Sequence, residues 1–125
     1  NKPFRVALAK GRQNYICLRR WDAVLNSTHQ PEEAVFYARV ITWLTETATG
    51  DRNELNMLPG DADHWLNLCG EAEGCLGSRC RYSRRCCVNK ARKAAEEANL
   101  IIANHSLLLS DVRVENRLTA RDSYG

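Results

Sequence analysis

The stretch that decides the reading is residues 75–104, "CLGSRCRYSRRCCVNKARKAAEEANLIIAN". Its first thirteen positions hold Cys75, Cys80, Cys86 and Cys87 together with Arg79, Arg81, Arg84 and Arg85, and no acid. Residues 87–99, rich in Ala, Lys and Glu, predict a strong helix. Val88, Ala91, Ala94 or Ala95, and Ala98 form a narrow apolar seam on it. "LIIAN" (100–104) predicts a buried strand. A loop crowded with thiols and guanidiniums therefore leads into a helix and then a strand.

Upstream, "FRVALAK" (4–10) reads as a second short buried strand that Gly11 breaks, followed by a loop or short helix through "RQNYICLRRW". A long helix is predicted between Ser27 and Gly50, with Ser27 or Thr28 as cap and Pro31, Glu32 and Glu33 in the first turn. Phe36, Val40, Trp43, Leu44 and Thr47 form its buried stripe. After a Pro-Gly turn, a short helix is expected over 61–70, capped by Asp61, with Trp65 and Leu68 facing inward. "HSLLLSD" starts another short helix, and the "RDSYG" tail has no core signal. Two strands far apart in sequence with helices between them suggest a helical insertion into an α/β sheet.

The chain has 125 residues, 44% apolar and 26% charged, which fits a single domain or part of one. No apolar run is long enough to span a membrane, and the start "NKPFRVALAK" lacks the apolar core of a signal peptide. A start other than Met suggests a piece of something longer. The net charge of +3 hides an alternation. A basic block over 1–22 and another over 75–93 flank an acidic block over 31–74. Same-sign blocks that also carry cysteines point to an anion-binding surface.

The six cysteines are Cys17, Cys69, Cys75, Cys80, Cys86 and Cys87. Disulfides need an oxidising compartment, for which no secretion signal speaks. Zinc knuckles use tighter pairs than the C-x4-C-x5-C spacing here. An iron–sulfur cluster takes four thiolates and tolerates wider spacing. Its negative charge needs nearby cations, and Arg12, Arg19, Arg20 and the loop arginines are suitably placed in sequence. Structural cysteines without metal are the remaining alternative. Cys69 and Cys87, inside predicted helices, read as small buried hydrophobes.

"KGRQNYICLRR" (10–20), "CLGSRCRYSRRC" (75–86) and "VNKARKAAEEANLIIANHSLLLSD" (88–111) together resemble the iron–sulfur region of DinG-type DNA helicases, in the superfamily 2 group that includes XPD. The resemblance is strong over 2–21 and 75–111. Over 22–74 it holds only as a variable helical insert. It implies a mostly α fold, a helical iron–sulfur cluster insert flanked by two short strands belonging to an α/β helicase motor domain. The implied divisions are 1–16, strand and loop of the motor; 17–90, the insert; and 91–125, helix, strand and tail returning to the motor.

It further implies a [4Fe–4S] cluster on Cys17, Cys75, Cys80 and Cys86, with zinc as a fallback occupant. Many relatives have Pro where this chain has Cys87; spacing favours Cys86 as the last ligand. Lys10, Arg12, Arg79, Arg81, Arg84 and Arg85 would contact DNA phosphates, and Tyr82 would stack on a base, with Tyr15 second. Trp43 and Trp65 read as core, Trp21 could go either way, and His29 and His64 read as surface residues. Asn104 and His105 close the second strand, as a cap or as functional groups.

The sequence contains neither a G-x-x-x-x-G-K-[ST] phosphate loop nor a D-E-x-H box. The expectation is a fragment of an ATP-dependent 5′→3′ helicase of the bacterial cytoplasm. ATP and Mg would bind only the parent chain, and the fragment would be inactive alone. Its expected partners are single-stranded and fork DNA and the rest of the motor in the same chain. It would act as a monomer and away from membranes. The alternatives are a stand-alone zinc- or cluster-binding nucleic-acid module without enzymatic activity, and an iron–sulfur electron carrier.

Overall fold

The computed structural model describes residues 3–103. Strand β1 (Val6–Ala9) is followed by a 3-10 turn (Arg12–Asn14), helices α1 (Leu18–Leu25) and α2 (Pro31–Leu44), a second 3-10 turn (Arg52–Glu54) and helix α3 (Asp61–Trp65). Two further 3-10 turns (Gly77–Arg79, Ser83–Arg85) lead to α4 (Cys87–Glu97) and β2 (Leu100–Ala103). The mostly helical expectation holds, and the two strands from opposite ends of the sequence pair in parallel, Val6 with Leu100 through Ala9 with Ala103.

The core runs from Tyr15 to Ala91. On α2 the 3.6-residue period buries Phe36, Val40 and Trp43, and Tyr37 joins them. Trp43 meets Trp65 edge-on at 6.1 Å. Trp65 is fully buried and its indole N–H donates to the Gln13 carbonyl at 2.9 Å, so the largest apolar group leaves no orphaned donor. Trp21 is buried as well.

The extended segment Tyr15–Cys17 threads through this core between two others. Ile16 N–H donates to Gly50 O at 3.0 Å, Cys17 N–H to Leu68 O at 2.8 Å, and Gly70 N–H to Tyr15 O at 3.0 Å. Gly50 sits at φ 71°, and a Cβ there would lie 2.9 Å from Cys87 Cβ and closer still to its sulfur. A glycine is thus needed for both conformation and closeness, and it lets α4 press against the core.

Several local expectations change. The cap of α2 is Gln30, not Ser27 or Thr28; Pro31 holds the first position, and Ser27 instead donates to Ala23 O at the end of α1. The helix ends at Leu44, with Thr47 beyond it accepting from Gly50 N–H. Gly60, at φ 89°, caps α3. Asp61 is its first residue, and its carboxylate accepts from Leu58 N–H at 2.7 Å and pairs with Arg39 at 2.6 Å.

His29 and His64 are half-buried rather than on the surface. They pack on the rings of Phe36 and Tyr37, the nearest pair being His29 and Tyr37 at 4.8 Å. Both strands, read as buried, are largely exposed: Ala7 is buried, but Val6, Leu8, Leu100, Ile101 and Ile102 are about half exposed because α4 is the element that covers β1. Asn104, His105 and the "HSLLLSD" segment lie outside the described residues.

Candidate metal centre and nucleic-acid interface

Two of the four sequence-predicted metal ligands occupy equivalent places. Cys17 is the residue capping α1 and Cys86 the residue capping α4, and neither side chain bonds to its own helix. Each sulfur is therefore placed at the positive end of a helix's backbone dipole. Cys87, the first residue of α4, is near enough to both thiols to feel their charge. Burial pushes the Cys87 thiol up, Lys90 opposes this, and the nearby Cys86 and Cys17 add to the rise.

Cys75 arrives by a different route. Arg19, in the first turn of α1, donates to Gly74 O at 2.7 Å and lays that segment beside the Cys17 helix. The Cys75 sulfur accepts the Gly77 backbone N–H at 3.4 Å. That bond first, then the Arg12 and Arg19 guanidiniums, outweigh burial and hold the Cys75 thiol below its usual value. Arg12 and Arg19 lie on either side of Cys17 in sequence. Cys80 is half-buried between the two 3-10 turns. Among the described residues, no three His, Cys, Asp or Glu side chains stand close enough to hold a single metal ion.

Cys69 and Cys87 are 3% and 8% exposed, as befits small buried hydrophobes. Burial raises the Cys69 thiol against the pull of Arg20. That arginine donates to the Cys69 carbonyl and pairs with Glu71 at 2.8 Å. The locking roles of Arg19 and Arg20 were not foreseen in the sequence beyond their nearness to Cys17. Their partners lie 49 to 55 residues away.

The arginines of the loop face outward. Arg79, Arg81, Arg84 and Arg85 are all exposed, and among the described residues none forms an ion pair. Tight turns make this display: Cys80 N–H closes on Gly77 O at 3.1 Å and Arg85 N–H on Tyr82 O at 3.0 Å, so side chains splay to solvent. Tyr82 is half-buried, its ring flanked by Arg81 at 5.3 Å and Arg85 at 5.6 Å. Such cation–π contacts hold the ring and both charges on one patch.

Two other sequence-predicted contacts are differently placed. Lys10 is drawn into a 2.6 Å ion pair with Asp51, the side chains 16% and 14% exposed, so its charge is already matched inside the fold. Arg12 is half-buried, and its positive charge helps to lower the Cys75 thiol. Tyr15, the second stacking candidate, is 5% exposed and belongs to the core. No helix among the described residues is long and apolar enough to cross a membrane.

No family model matches the chain. Individual proteins do. The ATP-dependent DNA helicase YoaA of Haemophilus influenzae is 37% identical over 113 residues, which is 89% of this chain and 18% of that protein. The ATP-dependent helicase DinG of Mycobacterium tuberculosis is 34% identical over 128 residues, 90% of this chain and 19% of that protein. The 3'-5' exonuclease DinG of Bacillus subtilis is 36% identical over 110 residues, 87% of this chain and 12% of that protein. The chain thus spans less than a fifth of the length of these curated relatives. Over some nine-tenths of its own length this chain is homologous to a region of the DinG-type helicases.

Proposed function

We propose that the chain is the part of an ATP-dependent 5′→3′ DNA helicase that carries a [4Fe–4S] cluster and grips single-stranded DNA at a fork. Cys17, Cys75, Cys80 and Cys86 would hold the cluster. The donor chemistry fits: two thiols at helix N-termini, a third already favoured as thiolate by an amide and two guanidiniums, and a fourth in the same loop. When bound, the group supplies a four-point cross-link and a local negative charge. The observation that carries the reading is the bond from Arg19 to Gly74, which brings the downstream thiol loop to the helix capped by the lone upstream cysteine.

Around that centre the chain's own groups do the DNA work. The exposed guanidiniums of Arg79, Arg81, Arg84 and Arg85 bind phosphates without regard to sequence. Tyr82, held between two of them, offers a ring to a base or to the duplex end. The half-exposed apolar strands β1 and β2 add to the parallel sheet of the motor domain in the same protein, because parallel sheets are covered on both faces. ATP and Mg belong to that motor, and the whole acts as a monomer in the bacterial cytoplasm. The region's occurrence in relatives named helicase and exonuclease favours a role in holding nucleic acid rather than in either reaction.

Metal and sulfide analysis of an anaerobic preparation tests the centre. The expected result is about four iron and four sulfide per chain; one zinc and no sulfide after anaerobic reconstitution would overturn it. For the interface, replacing both Arg84 and Arg85 by Ala should weaken single-strand binding and flatten its log–log salt slope by roughly 1 to 2. An unchanged affinity and slope would remove the interface from this loop.

A further inference from the structure

Beside the arginine loop lies a groove of about 380 Å³ between α1, the end of α2 and the start of α4. Its apolar wall is made by Leu18, Trp21 and Leu44. Tyr82, Arg85 and Lys90 form one rim, and Asp22 is also among its lining residues. None of the four proposed cluster cysteines lines it. The volume falls at the small end of ligand sites, roughly 300–1,000 Å³, which suits one aromatic heterocycle.

The rim and the wall ask for different halves of one ligand. Arg85 and Lys90 are exposed cations and suit a phosphate. The wall and the Tyr82 ring suit a flat apolar face. The Asp22 carboxylate suits an exocyclic amino group, as carboxylates do with cytosine N4. A nucleotide carries all three features.

We propose that this groove takes one unstacked base of the bound single strand, an amino-bearing base such as cytosine, while the rim cations hold its phosphate. The inference rests on the single-strand binding proposed above and adds to it a discrete base site. The strand is then registered on the protein one nucleotide at a time at this point, rather than lying on a featureless charged surface.

The test compares two labelled strands of equal phosphate number on the purified 125-residue chain. One is oligodeoxycytidine and the other an abasic tetrahydrofuran backbone. Fluorescence anisotropy should show the base-bearing strand binding about 10-fold tighter. That strand alone should quench tryptophan emission, and the quenching should disappear in Trp21→Phe. Ala48→Phe, at an exposed lining position, fills the groove and should lower the base-bearing affinity to that of the abasic strand. Equal affinity for the two strands would overturn the base site while leaving phosphate binding in place. If neither strand binds at low salt, single-strand binding itself fails, and the base site with it.

Discussion

Between Tyr15 and Leu68 the chain buries all three of its tryptophans; between Glu71 and Arg79 every residue is exposed. The first region is held by apolar area and by hydrogen bonds between segments distant in sequence. The second is held by tight turns, two positive-φ glycines (Gly74 and Gly77) and the bond from Arg19. It has almost no apolar burial to order it. Apolar packing and exposed charge are therefore separated in space: the core can lose a side chain only at great cost, while the loop carries thiols and arginines open to solvent. Under the cluster proposed above, the loop would gain its order from the group its sulfurs hold rather than from packing.

The sharpest break of this contrast is Trp65→Ala. It should cost about 3–5 kcal/mol, a large part of the 5–15 kcal/mol typical of a domain. Urea denaturation followed by circular dichroism measures it, and a cost under about 1 kcal/mol would mean the indole is not the centre of the core. Gly50→Ala comes next. It forces a side chain into a left-handed conformation and onto Cys87, and should cost about 1–3 kcal/mol in the same assay.

Asp61 links the core to pH. Burial alone would raise its carboxyl, but Arg39 and the Leu58 N–H override that and hold it below its ordinary value of about 4. The folded form therefore binds the Asp61 proton less readily than the unfolded form. Its contribution is complete above that ordinary value and is lost as pH falls through the depressed one. Asp61→Asn should cost about 1–3 kcal/mol at neutral pH and progressively less as the medium is acidified. A pH-independent difference between the two proteins would refute the pairing. At the small end, Arg84→Ala with Arg85→Ala should move stability by no more than about 0.5 kcal/mol, although the same pair should weaken DNA binding. A clear drop in unfolding midpoint would show that the loop is part of the scaffold after all.

Much of the architecture was legible locally. The stripe Phe36, Val40, Trp43 announced α2, the Ala-rich seam announced α4, and the two apolar runs announced a strand pair. On α4 the seam is half-buried at Val88, Ala91, Ala95 and Ala98, whereas Ala94 is exposed. The caps were less legible, because Ser27 bonds back to the last turn of α1 instead of starting α2, and the Asp61 carboxylate is taken by Arg39 from across the fold. The histidines were misplaced for a similar reason: nothing in the sequence near His29 shows that Tyr37 and the Val24 carbonyl will close around it. Lys10 looked like one more free cation until Asp51, 41 residues on, came to meet it.

The sequence alone determined which reactive groups are on offer: thiols in a C-x4-C-x5-C spacing, and arginines with no acid among them. It also determined the helices, since periodicity is a property of neighbours within a few turns. Only the tertiary structure decided which charges are spent inside the fold and which remain outside. Lys10 and Arg39 are matched by carboxylates, Arg19 is tied to a backbone carbonyl, and Arg79, Arg81, Arg84 and Arg85 are left to solvent. The physical reason is that an ion pair depends on distance in space, which folding sets, whereas a run of like charges in sequence says only that the groups exist.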